Sequence, residues 1–280
     1  MPPLFFSCIL LPVNPSEPTP ADRLALRSRP AGRPIMYQKW GKLLFMHWRI
    51  DAQLLRALIP PQLEIDTFDG SAWIGVVPFT MWDIRASFLP AIPGASAFHE
   101  LNVRTYVYHR GVPSVWFLSL DAANKLAVWG ARTFYHLPYF NAEMSLSQTG
   151  NTISYSSVRK DRRGAPAELQ ATWNIGEALP PTVPGSLEFF LTERYCLDTE
   201  HRGKLYRCRI HHEPWPLRQA ELNSLGSSMI EPHGLLTPPG DPLLHYCEEL
   251  CVEIWTLRGT ESPRRVSSPT VMAGLFSRKH

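Results

Sequence analysis

Residues 99–140 read HELNVRTYVYHRG (99–111) and then VPSVWFLSLDAANKLAVWGARTFYHLPYF (112–140), and this stretch decides the fold. Its first part alternates. Leu101, Val103, Thr105 and Val107 fall on one side of an extended chain, and Glu100, Asn102, Arg104, Tyr106 and Tyr108 on the other. Gly111 and Pro113 interrupt the pattern. Val115 to Leu120 is apolar on both faces, as in a strand covered on both sides. Asp121 or Asn124 can cap a helix, Leu126 to Tyr135 can form it, and Pro138 stops it. The unit is strand, turn, buried strand, helix.

An acid, an amide and a guanidinium therefore share one face of the first strand. An antiparallel strand commonly turns such a face to water. The alternative is a lined cavity, favoured by the apolar character of the surrounding segment and by Tyr106 and Tyr108 on the same face. Buried charges survive when paired, so Glu100 with Arg104 is the expected couple.

Working outward, Lys42 to Trp48 is an apolar strand, and Asp51 caps a short helix carrying Leu54, Leu55, Leu58 and Ile59 on one face. Leu63 to Phe68 alternates, Asp69-Gly70 signals a hairpin, and Ala72 to Met81 returns. Ser87 to Ala97 is a Pro/Gly loop placed to lie over a cavity mouth. Beyond Phe140 the pattern stays β. Hairpins are expected at Thr149-Gly150-Asn151 and near Arg202-Gly203, Ser186 caps a helix running through Arg194, and Leu243 to Leu257 closes the sheet.

The chain of 280 residues fits one large domain or two small ones, and its 44% apolar content is ordinary for a globular protein. Twenty-seven prolines disfavour long helices and suit a loop-rich β protein. The net charge of +3 resides in the ends. Residues 1–40 hold five Lys/Arg against two Asp/Glu and residues 259–280 hold four against one, so the body carries −3. That excludes a nucleic-acid-binding domain. Leu4 to Leu11 is too short to span a bilayer and poor as a signal peptide. Residues 1–35 read as a disordered Pro/Arg-rich extension, 36–258 as a single β-rich domain, and 259–280 as a disordered basic tail, with Met36 a candidate natural start. Five scattered cysteines do not make a secreted disulfide framework, although Cys196 and Cys208 can be drawn opposite each other across a hairpin. The spacing of His245, Cys247 and Cys251 matches no zinc pattern. The protein is read as cytoplasmic, without metal or cofactor.

The segments HWRIDAQLLRALIPPQLEIDTFDGSAWIGVVPF (47–79), ELNVRTYV (100–107), SLDAANKLAV (119–128), FLTERY (190–195) and PWPLRQAEL (214–222) together resemble the uncharacterised YqjF-like family of the acetoacetate decarboxylase-like superfamily. The likeness runs from about Trp40 to Arg258. It joins the pattern reading in one expectation: an α+β, β-rich domain in which a strongly bent antiparallel sheet forms a partly closed barrel or cone with a few short helices. Superfamily relatives often assemble, so the resemblance admits a homo-oligomer.

In true acetoacetate decarboxylases a lysine forms a Schiff base with the keto acid, and a neighbouring lysine and a desolvated pocket depress its pKa. That pair follows a proline in a segment of the form G-R-E-x-x-x-[FY]-P-K-K. The matching residues run from Ala131 to Phe140; Arg132 and Pro138 are kept, while Tyr139 and Phe140 stand where the lysines would be. A phenol cannot form an imine with a ketone, so the resemblance implies the fold and pocket and argues against the namesake reaction. Glu100 matches an active-site glutamate of the superfamily. A second glutamate, near Val77, and an arginine, near Gly41 or Lys42, are lost.

The candidate catalytic residues are thus Glu100 as acid or base, Tyr139 to orient a carbonyl, and Arg132. Candidate substrate contacts are Arg104, Asn102, His99, His136 and Tyr106, with arginine suited to a carboxylate through its bidentate fork. Lys125 is the nearby lysine, at a helix start. His211 and His212 point to opposite faces of a strand and cannot chelate together. The expected function is binding or transforming a small carboxylate or carbonyl compound without a Schiff-base lysine. The alternatives are a non-catalytic small-ligand-binding protein and a structural or interaction protein, in each case without nucleic acid or membrane as partner.

Overall fold

The computed structural model of the chain describes residues 17–88, 90 and 96–261. Its strands are β1 (Met36–Ile50), β2 (Glu64–Ile65), β3 (Ala72–Ala86), β4 (Phe98–His109), β5 (Val112–Ala122), β6 (Tyr139–Thr149), β7 (Thr152–Arg159), β8 (Glu168–Ala178), β9 (Cys196–His201), β10 (Lys204–His211), β11 (Leu217–Ser227), β12 (Leu243–Ile254) and β13 (Arg258–Gly259). The helices are short: α1 (Pro20–Ala25), α2 (Ala52–Arg56), α3 (Lys125–Phe134) and α4 (Leu187–Thr192). The strand-rich α+β fold is as the sequence predicts. Among the described residues no helix is long and apolar enough to cross a membrane.

All thirteen strands belong to one bent sheet that closes into rings. Three routes join β5 to β12: through β4, β3 and β1; through β6, β7, β8 and β11; and through β9 and β10. The first route is a wall shared by two lobes. On one side Leu44, Met46, Ile74, Val76, Leu101 and Val103 pack against residues of β7 and β8 such as Ile153, Leu169 and Trp173. On the other side Leu43, Phe45, Val77, Phe79 and Met81 face residues of β10 and β12 such as Cys208, Ile210 and Val252. This double burial is why Lys42 to Trp48 is apolar at nearly every position rather than at every second one.

Local signals hold in several places. Asp51 caps α2 by accepting from the Gln53 amide at 2.8 Å. Asn124 caps α3, accepting from the Leu126 and Ala127 amides at 3.0 and 3.1 Å. Asp121, the other candidate cap, is instead buried against Arg159. The hairpins at Gly150 and at Arg202-Gly203 form, the latter with both residues at positive φ.

Five expectations are corrected. Asp69 and Gly70 make a tight turn with φ of 49° and 71°, and Phe68 and Ser71 exchange both backbone hydrogen bonds, but the hairpin stops there. β2 pairs with β4, because the Asp66 amide donates to the Tyr106 carbonyl at 2.9 Å and the Asp66 carboxylate is held by Arg23 and Arg194. The sheet is not wholly antiparallel. β5 runs parallel to β6, through the crossover helix α3, and parallel to β9. Residues 17–35 are not disordered. α1 begins with a capping box at Thr19 and Asp22, Arg23 meets Asp66 at 2.6 Å, Arg27 meets Glu193 at 3.3 Å, and Arg29 meets Glu253 at 2.6 Å. The arginines that made this segment look solvated are its docking contacts. At the other end β13 pairs with β10 and the Thr260 amide donates to the Leu205 carbonyl, so the basic tail is ordered through residue 261; residues 1–16 and 262–280 lie outside the described residues. Finally, Cys196 pairs in register with Arg209 and Cys208 with Leu197; the two cysteines are offset and both are free thiols.

The Asp121–Arg159 pair is a stability element of the filled lobe. Arg159 donates to both Asp121 oxygens at 2.8–3.1 Å and to the Ser119 hydroxyl, with both side chains almost wholly buried. Arg159→Met strands a buried carboxylate and is expected to lower stability by about 3–5 kcal/mol, whereas Arg159→Met with Asp121→Leu removes both charges and recovers most of that loss. Urea midpoints of the three proteins check this.

Candidate active site

The lobe beyond the shared wall is not filled. It holds a cavity of about 410 Å³ enclosed by β1, β3, β4 and β5, by β9 and β10, and by the segments at Thr192–Arg194 and His212–Trp215, with α3 along its rim. Because β4 alternates, Leu101 and Val103 face the filled lobe and Glu100, Asn102 and Arg104 line the cavity. All three are buried, at 3, 5 and 8% exposure. The rest of the wall is apolar and aromatic, including Trp40, Phe79, Phe98, Phe117 and Trp215.

Glu100 and Tyr139 meet at one end. The Tyr139 hydroxyl donates to Glu100 Oε2 at 2.7 Å. Both backbones are held from outside: the Tyr155 hydroxyl donates to the Glu100 carbonyl at 2.9 Å, and Arg132 Nη1 donates to the Tyr139 carbonyl at 2.8 Å. Burial raises the Glu100 pKa from the ordinary 4.5 to about 8, against the opposing pull of the Tyr139 hydrogen bond. Glu100 is therefore mostly a neutral carboxylic acid at pH 7. Burial, then the neighbouring Glu100, pushes the Tyr139 phenol well above its ordinary value, so it stays protonated.

At the inner end sit two guanidinium groups. Arg104 Nη2 donates to the Tyr106 hydroxyl and to the Leu191 carbonyl, both at 3.3 Å, and the group lies 5.1 Å from the Phe45 ring centroid. Its Nε has no partner. Arg194 gives Nη1 to Asp66 at 2.6 Å and Nε to the Phe190 carbonyl at 2.8 Å, and its Nη2 has no partner. Both guanidinium carbons lie close to the Tyr106 ring, 5.7 and 4.6 Å from its centroid. Asn102 Oδ1, between the two ends, is also unpartnered.

Glu100 and Arg104 are not a couple. Four residues of extended chain separate their backbones by roughly 13 Å, and Arg104 bends on toward Tyr106 while Glu100 turns to Tyr139. Of the other candidates, Tyr106 lies behind the lining, its hydroxyl 2.7 Å from both His47 Nε2 and the Leu191 carbonyl. His99 faces away, as strand alternation requires, with Nδ1 2.9 Å from the Thr80 hydroxyl. His136 stacks on His201 at 3.9 Å and borders a separate cavity of about 300 Å³. Arg132 reaches the site only through the Tyr139 carbonyl. Lys125 is exposed, and no lysine lines the cavity among the described residues. Residues 89 and 91–95 of the loop expected over the mouth lie outside the described residues, while Ser96 lines the cavity. Arg194 was not singled out by the sequence reading. Its signal is a charged pair, Glu193-Arg194, directly after the wholly buried end of α4.

The model of the DUF2071 family, described as an uncharacterized conserved protein, matches residues 37–251. The uncharacterized protein YqjF of Bacillus subtilis (strain 168) is 47% identical over 231 residues, covering 82% of this chain and 95% of that one. Among solved structures, the enduracididine biosynthesis enzyme MppR complexed with pyruvate aligns with a TM-score of 0.56 at 13% identity, covering 83% of this chain and 92% of its own. Acetoacetate decarboxylase from Legionella pneumophila aligns with a TM-score of 0.55 at 16% identity, covering 89% and 98%. At such identities the structural likeness concerns the fold. The chain belongs to the uncharacterized DUF2071 family, with YqjF as a relative, and has an acetoacetate decarboxylase-like fold.

Proposed function

We propose that this chain binds a compound carrying a carboxylate and a carbonyl in the Glu100–Arg104 cavity and acts on it by proton transfer, without an imine. The observation that carries the reading is the buried Tyr139–Glu100 hydrogen bond at 2.7 Å, in a cavity whose inner end offers guanidinium nitrogens without partners. A neutral Glu100 is a proton donor at the pH where an ordinary glutamate is not, and it sits in a low-dielectric wall where such a donor acts strongly on a carbonyl oxygen. Tyr139 holds one carboxyl oxygen, which leaves the other to carry the proton. Arg104 takes the carboxylate, as a charge-assisted contact. Binding without turnover is the second reading. It is favoured by the lack of a poised nucleophile at Cys196, the thiol of the lining, whose pKa burial raises to about 11.

A panel of keto and hydroxy acids, followed by product analysis and by thermal shift, separates the two. Under the first reading one member turns over, and Glu100→Gln, which keeps the shape and loses the transferable proton, lowers kcat by about 10²- to 10⁴-fold with KM little changed. Arg104→Gln is expected to weaken binding by about 1.5–3 kcal/mol. A shift in melting temperature without product favours the second reading, and a panel that neither reacts nor shifts the transition discards both.

Stability should carry the same signature. Glu100 has a folded-state pKa above its unfolded one, so the folded protein binds the extra proton between pH 4.5 and about 8. Its contribution is fully present below pH 4.5 and is lost as pH rises through about 8. Glu100→Gln removes that dependence, so the difference in melting temperature between the wild type and this variant should move against the wild type from pH 5 to about pH 8 and level off above it.

A further inference from the structure

The cavity has two polar ends rather than one. At one end, Glu100 and Tyr139 present a neutral pair, and the neighbouring α3 leaves the lining residues Leu126 and Phe134 exposed at 67 and 63%. At the other end lie Arg104 and Arg194; Arg194 is paired with Asp66, a carboxylate that Arg23 also engages. Arg104 has no acidic partner among the described residues. This end is thus short of negative charge, and burying cations in that state is costly unless an anion arrives. His47, behind Arg104, is consistent with that field: after burial itself, Arg104 is the largest influence lowering its pKa.

The two ends are far apart. Pyruvate has its carboxylate and carbonyl carbons bonded to each other, and acetoacetate places one carbon between them. The backbones of Arg104 and Glu100 stand roughly 13 Å apart along β4, and their side chains turn to different partners, Arg104 to Tyr106 and Leu191 and Glu100 to Tyr139, so a short acid held at one is not held at the other. Volume gives the same answer. A cavity of about 410 Å³ lies in the range that holds drug-sized ligands, larger than either short acid. Asn102 lies between the two ends on β4, and the lining is largely apolar, with Val77, Phe79 and Phe117 on the strands beside it.

Resting on the carboxylate reading above, we infer that the ligand is an elongated acid of about ten carbons, with its carboxylate at Arg104 and Arg194 and a second, uncharged oxygen at Glu100 and Tyr139 across an apolar spacer. The reacting oxygen lies next to the proton donor. The spacer replaces water along the aromatic wall, which supplies affinity, while the two ends supply register.

The test is calorimetric titration of the full chain with pyruvate, acetoacetate, decanoate and ω-hydroxydecanoate at pH 7. The expected order is ω-hydroxydecanoate tightest, decanoate weaker by about tenfold, and the two short acids weaker again by at least about tenfold. In Glu100→Leu the preference for ω-hydroxydecanoate over decanoate should vanish while decanoate still binds. Equal affinity of the wild type for the two ten-carbon acids overturns the second polar end. Short acids that bind as tightly as the long ones overturn the elongated ligand and leave the carboxylate reading standing. Absence of binding by all four acids would falsify both. Since the acid series is measured on the wild type, a variant that fails to fold does not remove the test.

Discussion

The shared wall of β1, β3 and β4 is the constraint on which the rest of this structure depends. It is buried on both faces, so each side chain on it must find a partner in one lobe or the other. One lobe solves the problem with close packing around Trp173, Tyr155 and Leu169. The other keeps open space, and the polar side chains of β4 fall into it because the strand has a period of two. A shift of register by one residue would bury Glu100 and Arg104 among the aliphatic side chains of the filled lobe, an outcome costly enough to hold the register firmly.

The same burial sets the chemistry. In water Glu100 would be a carboxylate and Arg104 a solvated cation. Removed from water, the glutamate keeps its proton up to about pH 8, and the Arg104 guanidinium is left with Nε unpartnered. The positions are maintained from outside the cavity. Tyr155 reaches across from the filled lobe to the Glu100 carbonyl, Arg132 holds the Tyr139 carbonyl from α3, and the segment carrying α1 ties down Asp66, the counter-ion of Arg194. An N-terminal segment that looks dispensable by composition is therefore one contact away from the cavity lining.

Tyr139 and Phe140 divide between two environments. The Phe140 ring lies 4.2 Å from the Arg159 guanidinium and crowds Gly164, where an added Cβ would fall 2.7 Å from the ring. It faces away from its neighbour Tyr139, as adjacent strand residues must, so one side chain lines the cavity and the other lies against Gly164.

Much of this was legible in the residues. The alternation of 99–108 assigned Glu100, Asn102 and Arg104 to one face, and the cap at Asp51 and the turns at Gly150 and Arg202-Gly203 were local chemistry. These depend on spacing and side-chain type, which sequence states directly. What the tertiary structure alone decided was pairing at a distance: that Asp66 leaves its hairpin for Arg23 and Arg194, that Asp121 serves Arg159 rather than α3, that Glu100 turns to Tyr139 and not to Arg104, and that the α1 segment docks. The reason is physical. A strand period tells which side a residue faces, but a charge takes whichever partner the closing of the rings brings near, and that partner is 38 to 224 residues away in these pairs.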